Sequence, residues 1–182
     1  MNARDRHSRK TAPQATAPGS GAPAALARLY DEHAARLYAY ACVLARSPDE
    51  AEDVVQSVFL RLAKRPGRMV GVENPRAYLF RSLRNEVLRQ RSRWGRWRRG
   101  DAAAGTVHLN GYVTGAEAQF DAEAVERAMA ALPPGQREVV FLKVWQEMTF
   151  AEIAALLDIP ANTAASRYRY ALEKLRGLLR NE

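Results

Sequence analysis

The sequence predicts an all-α protein built as two small helical domains joined by a flexible linker. Three observations carry this reading. Apolar residues recur at three- and four-residue steps through most of the chain, the spacing of helices with one buried face. Capping residues stand immediately ahead of those runs, Ser47-Pro48, Asn74-Pro75 and Thr149 with Glu152. A stretch rich in Gly and Ala, 95–119, shows no lasting period and divides the periodic segments into two clusters. The expected organisation is a disordered basic tail over 1–22, an N-terminal domain of three to four helices over 23–94, the linker over 95–119, and a four-helix C-terminal domain over 120–182.

Residues 1–22 mix basic residues with Pro, Gly, Ser and Thr and carry no hydrophobic period. From Pro23 to Arg46, the residues Leu26, Leu29, Tyr30, His33, Leu37, Tyr40, Ala41 and Leu44 form one apolar stripe, the first helix. Ser47 as N-cap, Pro48 in the first turn and Glu50 three residues on form a capping box that starts the second helix, with Asp49, Glu52 and Asp53 adding negative charge near its positive end. Its buried stripe is Val54, Val55, Val58, Phe59 and Leu62, which leaves Glu52, Asp53, Gln56 and Arg61 for solvent or a partner; spacing alone favours solvent.

After the break "PGRMVGVEN", Asn74 and Pro75 open a third helix. Tyr78 and Phe80 lie on it among Arg76, Arg81 and Arg84, and Trp94 and Trp97 follow among further arginines. Aromatic rings that stack on bases beside guanidinium groups that hold phosphates are the chemistry of single-strand nucleic-acid binding. Core aromatics beside solvated arginines fit the composition equally well.

In the second cluster, "DAEAVERAMAAL" reads as a helix stopped at Pro133-Pro134, and "GQREVVFLKVWQEM" as another that offers Val139, Val140, Leu142, Val144 and Trp145 to the core. Thr149 and Glu152 form a second capping box over "TFAEIAALLDI". A short turn then leads into a last helix, with the small Ala154 where the two must approach closely, so the pair has the form of a helix-turn-helix. On that last helix Ala164, Tyr168, Ala171, Leu172, Leu175, Leu178 and Leu179 share the core side. Asn162, Thr163, Ser166, Arg169 and Tyr170 share the other, with Arg167 on the flank, so the first turns present polar and guanidinium groups where base edges and phosphates of a DNA major groove would lie. An ordinary helical hairpin with a solvated face is the competing account.

Lys and Arg exceed Asp and Glu by enough to give a net charge of +8, which favours a polyanionic partner. No run approaches the roughly 18 apolar residues that span a bilayer, and the N-terminus lacks the apolar core of a signal peptide, so a cytoplasmic protein without membrane insertion is expected. Cys42 is the single cysteine and sits in an apolar pattern, which excludes an internal disulfide and favours a buried thiol. His7, His33 and His108 are dispersed without Cys companions, so no zinc site is expected, and His33 reads as a packed core histidine. With no nucleophile–base pair, phosphate loop or metal-ligand set, the expectation is a protein that is not an enzyme and needs no cofactor.

The order of "AEDVVQSVFLRL", "NPRAYLFRSLRNEVLRQRSR", a linker and "LPPGQREVVFLKVWQEMTFAEIAALLDIPANTAASRYRYALEKLR" resembles a bacterial RNA polymerase sigma factor of the extracytoplasmic-function group, from about Ala25 to Leu179. The resemblance implies a protein that directs core RNA polymerase to promoters. It implies that Asp53 and Gln56 dock on a coiled coil of the β′ subunit. It makes Tyr78, Phe80, Arg81, Arg84 and Asn85 candidates for opening the −10 element, and it gives the helix-turn-helix, with Asn162, Thr163, Ser166, Arg167, Arg169 and Tyr170, the −35 element to read. Its apolar side would rest on the β flap, and an anti-sigma factor is admitted as a further partner. The chain departs from the family pattern at Ser57 and Arg89, where acidic residues are usual, and at Asp158, where the turn usually has Gly; Asp tolerates the left-handed backbone such a turn needs. Ala164 and Tyr168 stand for a common Val and Leu, a paired exchange of volume. The competing function is a sigma-like interaction protein that sequesters a regulator or mimics a sigma factor without itself initiating transcription.

Overall fold

A computed structural model describes residues 21–95 and 116–180. Seven α-helices run in order: α1 (Ala22–Leu44), α2 (Pro48–Lys64), α3 (Pro75–Gly95), α4 (Ala116–Ala130), α5 (Pro134–Val144), α6 (Phe150–Leu157) and α7 (Ala161–Leu179). A 3₁₀ turn, Pro66–Met69, follows α2. Among the described residues there is no strand. The expected tail up to residue 20 and most of the expected linker lie outside the described residues; α1 starts at Ala22, within the segment expected to be tail, and α4 starts within the segment expected to be linker.

Helix starts follow their caps. The Ser47 side chain accepts from the Glu50 N–H, Asn74 Oδ1 accepts from the Ala77 N–H at 2.9 Å, and Thr149 and Glu152 form the full reciprocal box. At α2 the box is shifted by one residue, because the Glu50 carboxylate accepts from the Arg46 N–H at 2.8 Å and not from Ser47 itself. That bond belongs to an extended connection: α1 ends at Leu44, two residues before the expected limit, since Ala45 has turned to φ −76°, ψ 170° to bring Ser47 into position. Asp158 adopts φ 57°, ψ 52°, the left-handed conformation expected of it, and lets the α6–α7 turn close.

Helices α1, α2 and α3 pack on one another, and α5 and α6 pack on α7, which also carries α4. The two clusters meet where α1 lies on α5 and α3 on α6. At that junction four rings form one stack: Phe80 on Tyr40 (5.1 Å between centroids), Tyr40 on Phe141 (5.9 Å) and Phe141 on Trp145 (5.8 Å). Cys42 and His33 are buried, as expected. Val144 and Leu179, expected in the core, are exposed at 48% and 42%.

Candidate functional site

On α2 the stripe Val54, Val55, Val58, Phe59 and Leu62 is buried, which turns Asp53 and Gln56 outward. Gln56 Nε2 donates to Glu52 Oε1 at 3.0 Å, one helical turn back. Beside this polar pair lies a groove of about 740 Å³ whose lining includes Leu26, Tyr30 and Leu60. Tyr30 and Leu60 are exposed at 48% and 55%, so apolar surface flanks the pair. Sequence reasoning put Tyr30 in the core and passed over Leu60; the available signal was that Leu60 falls off the α2 stripe.

On α3 the expected residues separate. Asn85 is exposed, and Tyr78 is half-buried against the core. Phe80 is fully buried, held in the ring stack, with the Arg76 guanidinium 5.9 Å from its centroid. It presents no face to a base here, which corrects the expectation of a stacking surface; the cause is its register with Leu83 and Val87, which share the buried face of α3. Arg81 and Arg84 are engaged by the second cluster. Arg81 donates to the Ala155 carbonyl at 2.6 Å, and Arg84 Nε donates to Glu138 Oε1 at 2.9 Å. Arg76 likewise donates to the Gln146 carbonyl.

Arg89, a departure from the sigma pattern, has a definite structural place. With Arg61 it flanks the buried Glu86, at 2.6 and 2.5 Å. Burial pushes the Glu86 carboxyl up, but the hydrogen bonds from Arg89 and Gln90 and the two guanidinium charges prevail and leave it below the usual carboxylate range.

On α7, Ala164 and Ala171 are buried against the bundle, and Asn162, Arg169 and Tyr170 are exposed on the opposite face. The Arg169 guanidinium lies 5.0 Å from the Tyr170 ring centroid. Ser166 Oγ donates to the Thr163 carbonyl within the helix. Arg167 leaves this group: its Nη1 would stand 3.2 Å from a Cβ on Gly135, so it packs at the start of α5 and lines the cleft between the clusters. Among the described residues no group of three or more His, Cys, Asp or Glu could hold a metal ion.

Two sigma-70 family models match the chain, region 2 over residues 29–99 and region 4 over residues 122–175. The ECF RNA polymerase sigma factor SigL of Mycobacterium tuberculosis is 35% identical over 164 residues, covering 86% of this chain and 90% of its own. This chain belongs to the ECF group of sigma-70 factors. The RNA polymerase sigma-E factor of Streptomyces antibioticus is 32% identical over 137 residues, with 73% of this chain and 72% of that protein covered. Among solved structures, the sigma factor RpoE of Bartonella quintana, crystallised with the anti-sigma factor NepR, superposes with a TM-score of 0.67 at 25% identity, over 87% of this chain and 96% of that one. CnrH in complex with the cytosolic domain of CnrY shares the fold at TM-score 0.60, over 89% of this chain and 92% of that one.

As a sigma factor, the protein directs RNA polymerase to promoters. Region 2 takes in nearly all of α1 to α3, and region 4 the described cluster from α4 to α7. In the arrangement seen here, region 4 therefore engages Arg81 and Arg84 of region 2.

Proposed function

We propose that this sigma factor binds the β′ coiled coil of core polymerase through the α2 face around Asp53 and Gln56. In this reading α3 engages the −10 element through Tyr78, Arg81, Arg84 and Asn85, and the outer face of α7 reads the −35 element through Asn162, Thr163, Ser166, Arg169 and Tyr170. Its region 4 rests on the β flap. The observation that carries the reading is the division of α7, which buries Ala164 and Ala171 while Asn162, Arg169 and Tyr170 are exposed. Because Arg81 and Arg84 are bonded to region 4, promoter opening requires the clusters 23–94 and 120–182 to part on the connection between them. The protein works by binding alone, without catalysis, in the cytoplasm beside the polymerase. An anti-sigma factor, such as the one solved with the Bartonella relative, is a partner suited to holding the closed form.

Run-off transcription with core polymerase and genomic promoter fragments tests this directly. New discrete start sites are expected on addition of the protein. Tight core binding with no start sites would support a sigma mimic instead.

A further inference from the structure

Arg76 of α3 and Gln146 of the α5–α6 turn meet across the junction of the two clusters, where Arg76 donates to the Gln146 carbonyl. Gln146 directly follows Trp145, the last ring of the stack that runs from Phe80 through Tyr40 and Phe141. The Arg76 guanidinium lies over Phe80, at the other end of that stack. Gln146 is 2% exposed, and neither its amide oxygen nor its amide nitrogen has a hydrogen-bond partner. Arg76 Nε is likewise buried and unpartnered. A polar group taken out of water without a replacement bond opposes the arrangement that buries it.

The backbone keeps Gln146 in that position. Its N–H donates to the Phe141 carbonyl at 3.3 Å, and the Met148 N–H donates to the Leu142 carbonyl at 3.1 Å. Glu147 between them takes φ 54°, a left-handed conformation that strains a residue with a Cβ. Elsewhere on the junction the polar groups are matched: Arg81 has the Ala155 carbonyl, and Arg84 and the Tyr40 hydroxyl share Glu138. The ring stack and these bonds favour closure, and the Arg76–Gln146 corner works against it.

We infer that Gln146 is the release element of the closed arrangement: its buried amide weakens the junction, so that the clusters part when polymerase and promoter engage them. This role belongs to the parting of the clusters proposed above and rests on it. The amide and Arg76 Nε regain water as the clusters separate. Each group left unpaired in the closed form moves the equilibrium toward the open form by about 5- to 150-fold. An apolar side chain at this position leaves the ring stack and the Arg84–Glu138 pair unopposed and locks the chain closed.

Single-molecule energy transfer reads the open fraction of the full chain without DNA or polymerase. Dyes are placed on Arg36→Cys in α1 and Arg176→Cys in α7, exposed positions in different clusters, while the buried Cys42 stays unlabelled. Gln146→Met keeps an unbranched side chain and removes the amide. It is expected to lower the ratio of open to closed molecules about fivefold or more and to raise the melting temperature. An unchanged or larger ratio overturns the inference. So does a lower melting temperature in both Gln146→Met and Gln146→Leu, because an amide whose loss destabilises the fold is hydrogen-bonded in solution. Where open molecules of the parent are too rare to count, the same comparison is made in the Glu138→Gln background, in which no carboxylate holds Arg84. An absence of open molecules there too overturns the inference. Run-off transcription then separates release from promoter reading. Fewer transcripts from Gln146→Met are expected, and undiminished transcripts despite a lowered ratio overturn the release role. A lowered ratio with no start sites from the parent counts against the promoter reading and leaves the effect of Gln146 on the junction standing.

Discussion

Arg84 on α3 and Glu138 on α5 are joined at 2.9 Å across the two clusters, and the same carboxylate oxygen accepts the Tyr40 hydroxyl at 2.6 Å. Burial first, and the Glu138 charge second, hold the Tyr40 phenol well above its ordinary range, so it donates as a neutral hydroxyl. One carboxylate of region 4 thus holds one arginine and one tyrosine of region 2, and the arginine is among those proposed for the promoter.

Glu138→Gln keeps the volume and a hydrogen-bonding oxygen but removes the charge. A hydrogen bond to a charged group is worth about 1.5–3 kcal/mol, so the open population should rise about tenfold or more. Small-angle scattering should show a larger radius of gyration for the variant. Identical scattering curves for parent and variant would mean that the ring stack, and not the carboxylate, holds the clusters together.

Phe80 and Tyr78 should part company on mutation. Phe80→Ala opens a cavity inside the ring stack and is expected to cost about 3–5 kcal/mol in stability. Tyr78→Ala, at a half-buried position, should cost less and instead impair open-complex formation on a duplex promoter more than on one with a pre-melted −10 bubble, since stacking is worth about 1–3 kcal/mol per base. An equal loss on both templates would remove Tyr78 from the strand-opening surface.

The contrast between these two residues shows what the sequence holds and what it does not. Helix starts were legible because caps are local: Ser47, Asn74, Thr149 and the left-handed Asp158 each act within a few residues. The burial of Phe80 is also legible, from its spacing to Leu83 and Val87, although an aromatic ring among arginines fits a stacking surface equally well. The meeting of Tyr40 with Glu138, 98 residues apart, leaves no trace in any local period, nor does the turning of Arg167 toward Gly135. The pairing of Arg89 with Glu86 is an i,i+3 contact and so is within reach of local spacing.

Glu86 makes a pH prediction. Its folded carboxyl lies below the ordinary value of 4.5, so its stabilising contribution is present above that value and is lost as pH falls through the depressed folded value. Glu86→Gln should therefore destabilise the protein at neutral pH by about 1.5–3 kcal/mol and by progressively less in acid. Denaturant unfolding of parent and variant from pH 7 downward gives the comparison. A difference constant with pH would show that the cost is packing and not charge.

The polymerase face can be divided by chemistry. Asp53→Ala with Gln56→Ala should weaken core binding without changing helix content, since neither side chain is buried. Leu60→Ala, also exposed, should add to that loss if the groove beside the pair is part of the contact. Titration against core polymerase distinguishes the cases: additivity extends the interface to the groove, and an unaltered affinity in the first variant would remove Asp53 and Gln56 from it.

Arg169 and Ser166 test the recognition helix. Arg169 is exposed and stacked over Tyr170, and Ser166 is only part-buried, so both can be changed without opening a cavity beneath Ala164 or Ala171. A contact from Arg169 to a base edge should cost about 1–3 kcal/mol at one −35 position and relax preference there. A contact to phosphate should weaken all sequences alike and lower the salt slope by about one. The exposed cation–π pair with Tyr170 holds the guanidinium on the outer face, where it can be presented to a groove as a fixed fork, so the base contact is the expected outcome. Binding of Arg169→Ala and of Arg169→Ala, Ser166→Ala to a set of −35 variants at several salt concentrations separates the two. If both variants discriminate among −35 sequences as the parent does, with the same salt slope, α7 is not the DNA reader and the −35 assignment moves elsewhere on region 4.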